Sequence, residues 1–319
     1  MNNWIDQFSN CHILVIGDCM IDEYVWGTVD RISPEAPVPV VAVKRDNATL
    51  GGAGNVVNNL AALKANVTII GTYGSGENGK RLKRMFEDVG AITDGLAQDQ
   101  SRATTIKTRI MASQQHVLRI DRETSHPINK VLVEQIAKNI SNCIQFINLI
   151  IVSDYGKGLL TPELLKAIMD QAKKHDTPVL VDPKGFHYEK YGGSSLITPN
   201  RKEAALAANM DITDMPTLIR AGQNLMEKVG LPGLLITCGK DGMVLFEPDE
   251  PPFHIETRAR QVFDVSGAGD TVISVMGLAL AAGASYREAA SLANTAAGLV
   301  VGKVGTATIS QLELRDAIV

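Results

Sequence analysis

Almost from end to end, short apolar runs alternate with longer stretches of helical periodicity, and this limits the possible folds more than any other feature of the chain. The runs His12–Gly17, Val38–Val43, Val67–Gly71, Leu149–Ser153, Val179–Val181, Leu196–Thr198 and Leu234–Thr237 predict strands. Between them the spacing predicts helices over Asn55–Lys64, Gly79–Val89, Lys130–Cys143, Pro162–Lys174 and Pro216–Val229. Thr161-Pro162-Glu163 is a helix start in its own right, a capping hydroxyl followed by Pro at the first helical position. Strands joined through helices need right-handed crossovers, so an α/β fold is expected, with a mostly parallel sheet covered on both faces. No linker, charge block or repeat divides residues 1–319, and one domain is expected.

Two stretches break the rhythm. Ile32-Ser33-Pro34-Glu35-Ala36-Pro37-Val38-Pro39-Val40 is extended and punctuated by proline, which strands tolerate chiefly at sheet edges. Ala103–Met111 and His116–Ile120 read as a ribbon around the polar turn Ser113-Gln114-Gln115. Together, residues 31–43 and 103–120 are expected to form a small projecting β-sheet, serving as a lid or a dimer surface; plain surface hairpins are the alternative. Val38, Val40 and Ile110 would be exposed on such a sheet unless a second copy covered them, so a homodimer is expected.

Composition narrows the functions. The chain has 31 basic and 35 acidic side chains, a formal charge of −4, and only 5% aromatic residues. It therefore lacks both the basic field and the stacking platforms of nucleic-acid binding, and no nucleic-acid partner is expected. The most apolar segment, Val272–Ala284, is shorter than the ~18–20 residues that span a bilayer, and Met1–Cys11 lacks the basic start of a secretory signal. No membrane partner is expected, and the cytoplasm is the expected location. Cys11, Cys19, Cys143 and Cys238 are scattered, with no C-x-x-C pair and no histidine at ligand spacing, so reduced thiols rather than zinc are expected.

Two glycine clusters precede helical patterns. Gly74-Ser75-Gly76-Glu77-Asn78-Gly79-Lys80-Arg81 fits G-x-G-x-x-G and approaches a P-loop, but Arg81 stands where a Mg²⁺-binding hydroxyl is needed. Glu77 would also face a pyrophosphate from inside the loop. A glycine-rich turn into a helix is the expected reading, and a nicotinamide-dependent dehydrogenase using Gly74–Gly79 is the alternative from another class. The second cluster, Asp264-Val265-Ser266-Gly267-Ala268-Gly269-Asp270, carries more chemistry. Gly267, Ala268 and Gly269 offer consecutive backbone N–H groups at a helix start, a place that favours an anion and that small residues leave open to a phosphoryl group. Asp270 follows in the first turn, placed to take a proton from a hydroxyl aligned on that nest.

This second cluster resembles the D-[TV]-x-G-A-G-D signature of the ribokinase-like (PfkB) carbohydrate kinases. Gly51-Gly52-Ala53-Gly54-Asn55, Asn200-Arg201-Lys202-Glu203 and Ile236-Thr237-Cys238-Gly239-Lys240-Asp241-Gly242 resemble the other family motifs, in order. Gly54, where Ala is more familiar, and the cations Arg201 and Lys202 inside N-x-x-E are departures. The resemblance implies a ribokinase-like three-layer sandwich that uses ATP and Mg²⁺, with Asp270 as base and the amides of Gly267, Ala268 and Gly269 on the transferring group. It implies that Asn200 and Glu203 act through Mg²⁺ and its waters. Thr237, Gly239, Gly242 and Asn294 would lie on the ATP side, with Asp264 beside a monovalent cation. Asp22, Asn55 and Gly52 are the candidates for sugar hydroxyls, since carboxylate and amide groups satisfy vicinal diols. Asp18 is either a further contact or a turn residue.

Within the family, Val15–Asp22, Arg31–Val40, Ser153-Asp154-Tyr155-Gly156-Lys157-Gly158 and Val181-Asp182-Pro183-Lys184-Gly185 resemble the kinases of D-glycero-β-D-manno-heptose 7-phosphate. These phosphorylate the anomeric O1 for lipopolysaccharide-core precursors, in many bacteria as half of a bifunctional protein. The implied substrate is a sugar phosphate whose distal phosphate needs cations, for which Lys107, Arg109, Lys157 and Lys184 are candidates. A ribokinase-like kinase for another sugar or a nucleoside is the alternative within the family.

Overall fold

Along His12–Gly17, consecutive side chains divide between two apolar layers: Ile13 and Val15 enter one, Leu14 and Ile16 the other. Leu149–Ser153 repeats the division, with Leu149 and Ile151 on one side and Ile150 and Val152 on the other. A strand that is apolar on both faces belongs inside a sheet covered on both faces. The computed structural model, which describes residues 2–112, 115–257, 264–303 and 305–318, contains that sheet. In chain order the first elements are α1 (Asn2–Ile5), β1 (His12–Gly17), β2 (Cys19–Ile32), β3 (Pro39–Gly52), α2 (Ala53–Ala62), β4 (Asn66–Gly74), α3 (Glu77–Asp88), β5 (Ile92–Asp99), β6 (Thr105–Ala112), β7 (Gln115–Arg122) and α4 (Lys130–Cys143). There follow β8 (Leu149–Ser153), α5 (Pro162–Lys174), β9 (Val179–Asp182), β10 (Leu196–Ile197), α6 (Arg201–Ala208), α7 (Met215–Val229), β11 (Leu234–Thr237), β12 (Met243–Phe246), β13 (Phe253–Ile255), α8 (Ala268–Ala281), α9 (Tyr286–Val300) and α10 (Gln311–Asp316).

The large sheet has the order β13-β12-β11-β10-β9-β8-β1-β4-β5. It is parallel from β11 to β5, with β12 and β13 added antiparallel at one edge. Residues of α2, α8 and α9 fill one apolar layer, and those of α4, α5, α6 and α7 fill the other. Thr161 caps α5 by accepting from Leu164 N, as its sequence predicts. The small residues of α8 let it lie close to the sheet: a Cβ on Gly277 would come 3.1 Å from Ile151 and from Leu149. Parallel strands deliver Asp18, Asp154, Asp182, Asn200 and Thr237 at or just past their carboxyl ends, the edge where open α/β sheets bind ligands.

A second sheet of order β3-β2-β6-β7 carries the irregular stretches. It is larger than the sequence predicts: β2 and β3 take in Cys19–Ile32 and Pro39–Gly52 rather than 31–43, and the ribbon is β6 and β7. Ser113 and Gln114 of the expected turn lie outside the described residues. The sheet is two-faced. Asp22, Lys107 and Asp121 stand in register on one face beside the row Tyr24, Arg109 and Arg119. Val25, Ile110 and Leu118 form a row on the opposite face, next to Glu23, Thr108 and Ile120. Of the three residues expected to be exposed, Val38 is, whereas Val40 and Ile110 are half-buried; Leu118, at 53%, is among the open apolar side chains of this sheet. All four cysteines are free.

Candidate active site

The start of α8 is built against α2. Gly267 has φ +78°, and a Cβ there would come 2.6 Å from Asn55 Nδ2, so only glycine fits without moving that amide. Gly269 faces open space. Asp270, in the first turn, is 5% exposed. Asn55 Nδ2 donates to its Oδ2 at 2.7 Å, and the Tyr155 hydroxyl donates to its Oδ1 at 2.9 Å. Burial pushes the Asp270 carboxyl up to about 6; the two hydrogen bonds pull it down, and the charge of Asp22 pushes it up. Asn59 ties the helices together, donating to Asn55 O at 2.8 Å and accepting from Thr271 Oγ1 at 2.9 Å. Asn55 Oδ1 is buried and has no partner among the described residues.

Across a cavity of about 160 Å³ from Gly267, Gly269 and Asp270 stand Asp182, Lys184, Asn200 and Glu203. The N-x-x-E motif is first of all a helix cap. Asn200 Oδ1 accepts from Lys202 N and Glu203 N at 3.0 Å each, and Glu203 Oε2 accepts from Asn200 N at 3.1 Å. Glu203 Oε1 meets Lys184 Nζ at 3.3 Å. Burial, then the charges of Asp270 and Glu203, push the Asp182 carboxyl well up. Thr237 pairs with Asn200 in an isolated bridge at the head of the turn containing Gly239 and Gly242. Both glycines are left-handed, and a Cβ on Gly242 would come 1.9 Å from Ile255 O. Along this turn runs a cavity of about 510 Å³ lined by Arg201, Lys240, Asp241, His254 and Glu256 among others, with Arg201 paired to Asp241 at 2.8 Å. Asn294 reaches the edge of that cavity only indirectly, its amide donating to Glu256 O at 2.8 Å. Asp264 accepts from Ser266 N and Gly305 N; burial pushes its carboxyl up, but these bonds hold it below the usual range.

On the other side of Asp270 the small sheet supplies Asp22, whose Oδ1 accepts from Arg109 Nη1 at 2.6 Å while the guanidinium lies over Tyr24. Gly51 leaves room for Asp22, since a Cβ there would come 2.3 Å from Oδ2; Gly52, at φ +57°, turns the chain into α2. Lys107 and Lys157 converge on Glu123, at 3.0 and 2.8 Å.

Residues 11–313 match the pfkB family carbohydrate kinase. The chain is a PfkB-family carbohydrate kinase. It is 55% identical over 311 residues to the bifunctional protein HldE of Desulfatibacillum aliphaticivorans, covering 98% of this chain and 64% of that protein. It is 49% identical to the bifunctional protein HldE of Geobacter metallireducens, covering 94% of this chain and 61% of that one. The kinase thus spans less than two thirds of these relatives' length. Among solved structures it resembles a ribokinase of Arabidopsis thaliana complexed with ribose and ATP, with TM-score 0.75, 19% identity and coverage of 97% of this chain and 98% of that one. It also resembles phosphofructokinase-2 of Escherichia coli in complex with potassium, with TM-score 0.78, 19% identity and coverage of 96% and 97%. The fold is ribokinase-like, and the enzyme is an ATP-dependent sugar kinase.

Against this background the kinase's sequence-predicted residues fall into two groups around Asp270. Asn200, Glu203, Thr237, Gly239 and Gly242 lie on one side, and Asp22, Arg109, Lys107 and Lys157 on the other, with Asn55 between. Lys184, grouped in the sequence with the distal cations, stands beside Glu203 and lines the same cavity as Asn200 and Asp270. Asp18 is spent on backbone, accepting from Tyr155 N and Lys157 N at 3.0 Å each and from Leu159 N at 3.4 Å. The Gly74–Gly79 loop has packing reasons for two of its glycines. A Cβ on Gly79 would come 2.0 Å from Gly74 O, and one on Gly74 would come 2.5 Å from Arg102 O. Sequence reasoning quoted Tyr155 and Asp182 inside motifs and gave neither a role; their signal was a tyrosine and an aspartate just past strand ends.

Proposed function

We propose that this kinase transfers the γ-phosphoryl group of ATP to the anomeric O1 of D-glycero-β-D-manno-heptose 7-phosphate, giving the 1,7-bisphosphate and ADP. The observation that carries the reading is Asp270, a buried carboxylate held at both oxygens beside the glycine turn at the start of α8. Asp270 takes the O1 proton as that oxygen attacks phosphorus in line, and the bond to ADP breaks. The amides of Gly267 and Gly269 hold the charge on the transferring group, donors of a kind worth ~3–4 kcal/mol each, and Ala268 N joins them on leaving its 3.3 Å turn bond to Val265 O. Asp22 and the free Oδ1 of Asn55 take sugar hydroxyls. A distal phosphate would compete with Glu123 for Lys107 and Lys157, and with Asp22 for Arg109. Lys184 serves the nucleotide phosphates.

Among the described residues, no group of three or more His, Cys, Asp or Glu side chains is placed to hold a metal. Asn200 and Glu203 are already engaged in their capping box, so they suit a Mg²⁺ that keeps its waters and arrives with the nucleotide. When bound, Mg²⁺ neutralises and aligns the phosphates. Asp264 lies where a monovalent cation would sit beside the nest. Among the described residues no helix is long and apolar enough to cross a membrane, and we place the reaction in the cytoplasm, with its ATP. We further propose that the Val25, Ile110 and Leu118 face packs on the same face of a second copy.

The test is ADP release across a panel of heptose 7-phosphate, fructose 6-phosphate, ribose, fructose and adenosine, with the product identified by phosphorus NMR. Heptose 7-phosphate is expected to give the highest kcat/KM and an anomeric phosphate. A higher kcat/KM for any other member would replace this substrate by that one.

A further inference from the structure

We propose that Tyr155 is a positioning residue for phosphoryl transfer: its hydroxyl fixes the orientation of the Asp270 carboxylate, and Asp18 holds the loop that carries it. The inference rests on Asp270 being the base. Each Asp270 oxygen receives one donor, Asn55 from α2 and Tyr155 from the loop after β8, so two elements on opposite sides define the carboxylate plane. One lone pair on each oxygen then stays free in a fixed direction, which an in-line proton transfer requires. Burial and then the Asp270 charge push the Tyr155 phenol well above its ordinary value, so it remains a neutral donor throughout the working pH range.

The loop holding Tyr155 is neither helix nor strand, and Gly156 and Gly158 are left-handed, so its own backbone does little to fix it. It is fixed from outside. Asp18, 5% exposed, accepts its N–H groups at residues 155, 157 and 159 and makes no ion pair among the described residues. Asp154 adds Gly156 N at 2.8 Å while held by Lys190 and the Tyr191 hydroxyl. A buried carboxylate spent wholly on backbone amides is a costly way to tidy a loop. It is well suited to one whose single aromatic side chain must stay within hydrogen-bond reach of a base. Among the described residues, the charged groups around Asp270 are Asp22 from β2, Asp154 from the loop after β8, Asp182 from β9, Glu203 from α6 and Lys184 across the cavity. Among the described residues only Tyr155 and Asn55 donate to its carboxylate, so loss of the hydroxyl leaves mostly negative neighbours and drives the carboxyl upward.

The experiment uses the full chain with Tyr155→Phe. In ligand-free protein carrying carbon-13 aspartate, with Asp270 assigned from the Asp270→Asn spectrum, the Asp270 titration midpoint is expected to rise by about half to one pH unit. With the sugar phosphate that the wild type turns over best, kcat is expected to fall ~10-fold, with the acid limb displaced by the same interval and KM for ATP within two-fold. An unmoved midpoint overturns the proposal, whatever happens to kcat. Asp18→Asn should reproduce the kcat loss, and the double variant should be no worse than either single one; multiplicative losses overturn the role given to Asp18. The ligand-free titration decides the proposal even if no sugar phosphate is turned over, an outcome that would instead refute the proposed substrate.

Discussion

Asp270 concentrates what a buried acid gains and loses. Its carboxyl lies at about 6 against an ordinary 3.8, raised by burial, so the folded chain binds this proton more tightly than the unfolded one. Stability from this group is therefore full below about pH 4 and is lost as pH rises through 6, a cost of ~3 kcal/mol once it is ionised. The proposed role of base needs the ionised form, so kcat is expected to rise with pH through about 6. Asp270→Asn separates the two effects. The new side chain's amide oxygen, in the place of Oδ2, keeps the Asn55 donor, and the Tyr155 hydroxyl turns to accept from the amide nitrogen in the place of Oδ1. Turnover is expected to fall ~10²–10⁴-fold, while the thermal midpoint at pH 8 equals or exceeds that of the wild type. A variant with near-normal kcat would remove Asp270 from the role of base.

Elements were legible where one periodicity ruled. The runs at β1, β8 and β11 and the helices α4 and α5 have the bounds their sequences predict, because apolar residues on both faces, or a clean cap, leave no second solution. β2 was not read as a strand at all. Its residues alternate Asp22, Tyr24 and Trp26 on one face with Glu23 and Val25 on the other, and charge near the root masks the period. The site followed the same rule: the Gly267–Asp270 cluster announced itself by spacing, whereas Tyr155 depends on a loop shaped by a carboxylate 137 residues away. The glycine loop before α3 belongs at this scale too. Gly76 has φ +102° and open space around it, so Gly76→Ala should cost ~1–3 kcal/mol in backbone strain and leave ATP affinity within two-fold. Denaturant unfolding and calorimetric titration with ATP measure the two, and a large affinity loss at unchanged stability would return the loop to nucleotide binding.

For the whole molecule, the apolar face of the small sheet carries the proposed pairing of two copies. Leu118→Asp is expected to give monomers in sedimentation at micromolar concentration, with a raised KM for the sugar and unchanged ATP binding. A wild type that is itself monomeric and fully active would leave the sheet as surface structure. The strand β2 has a mechanical consequence as well. From Asp22, whose charge is felt at Asp270, it runs 11 residues out to its far end at Ile32, with two register shifts against β3 on the way. At ~3.3 Å per residue the far end is about 30 Å from the carboxylate, so a rotation of ~10° about the root swings the tip by roughly 5 Å and barely displaces Asp22. The sheet is thus a lever with its fulcrum at Asp22: a small force at the tip becomes a strong torque at the root, beside Asp270.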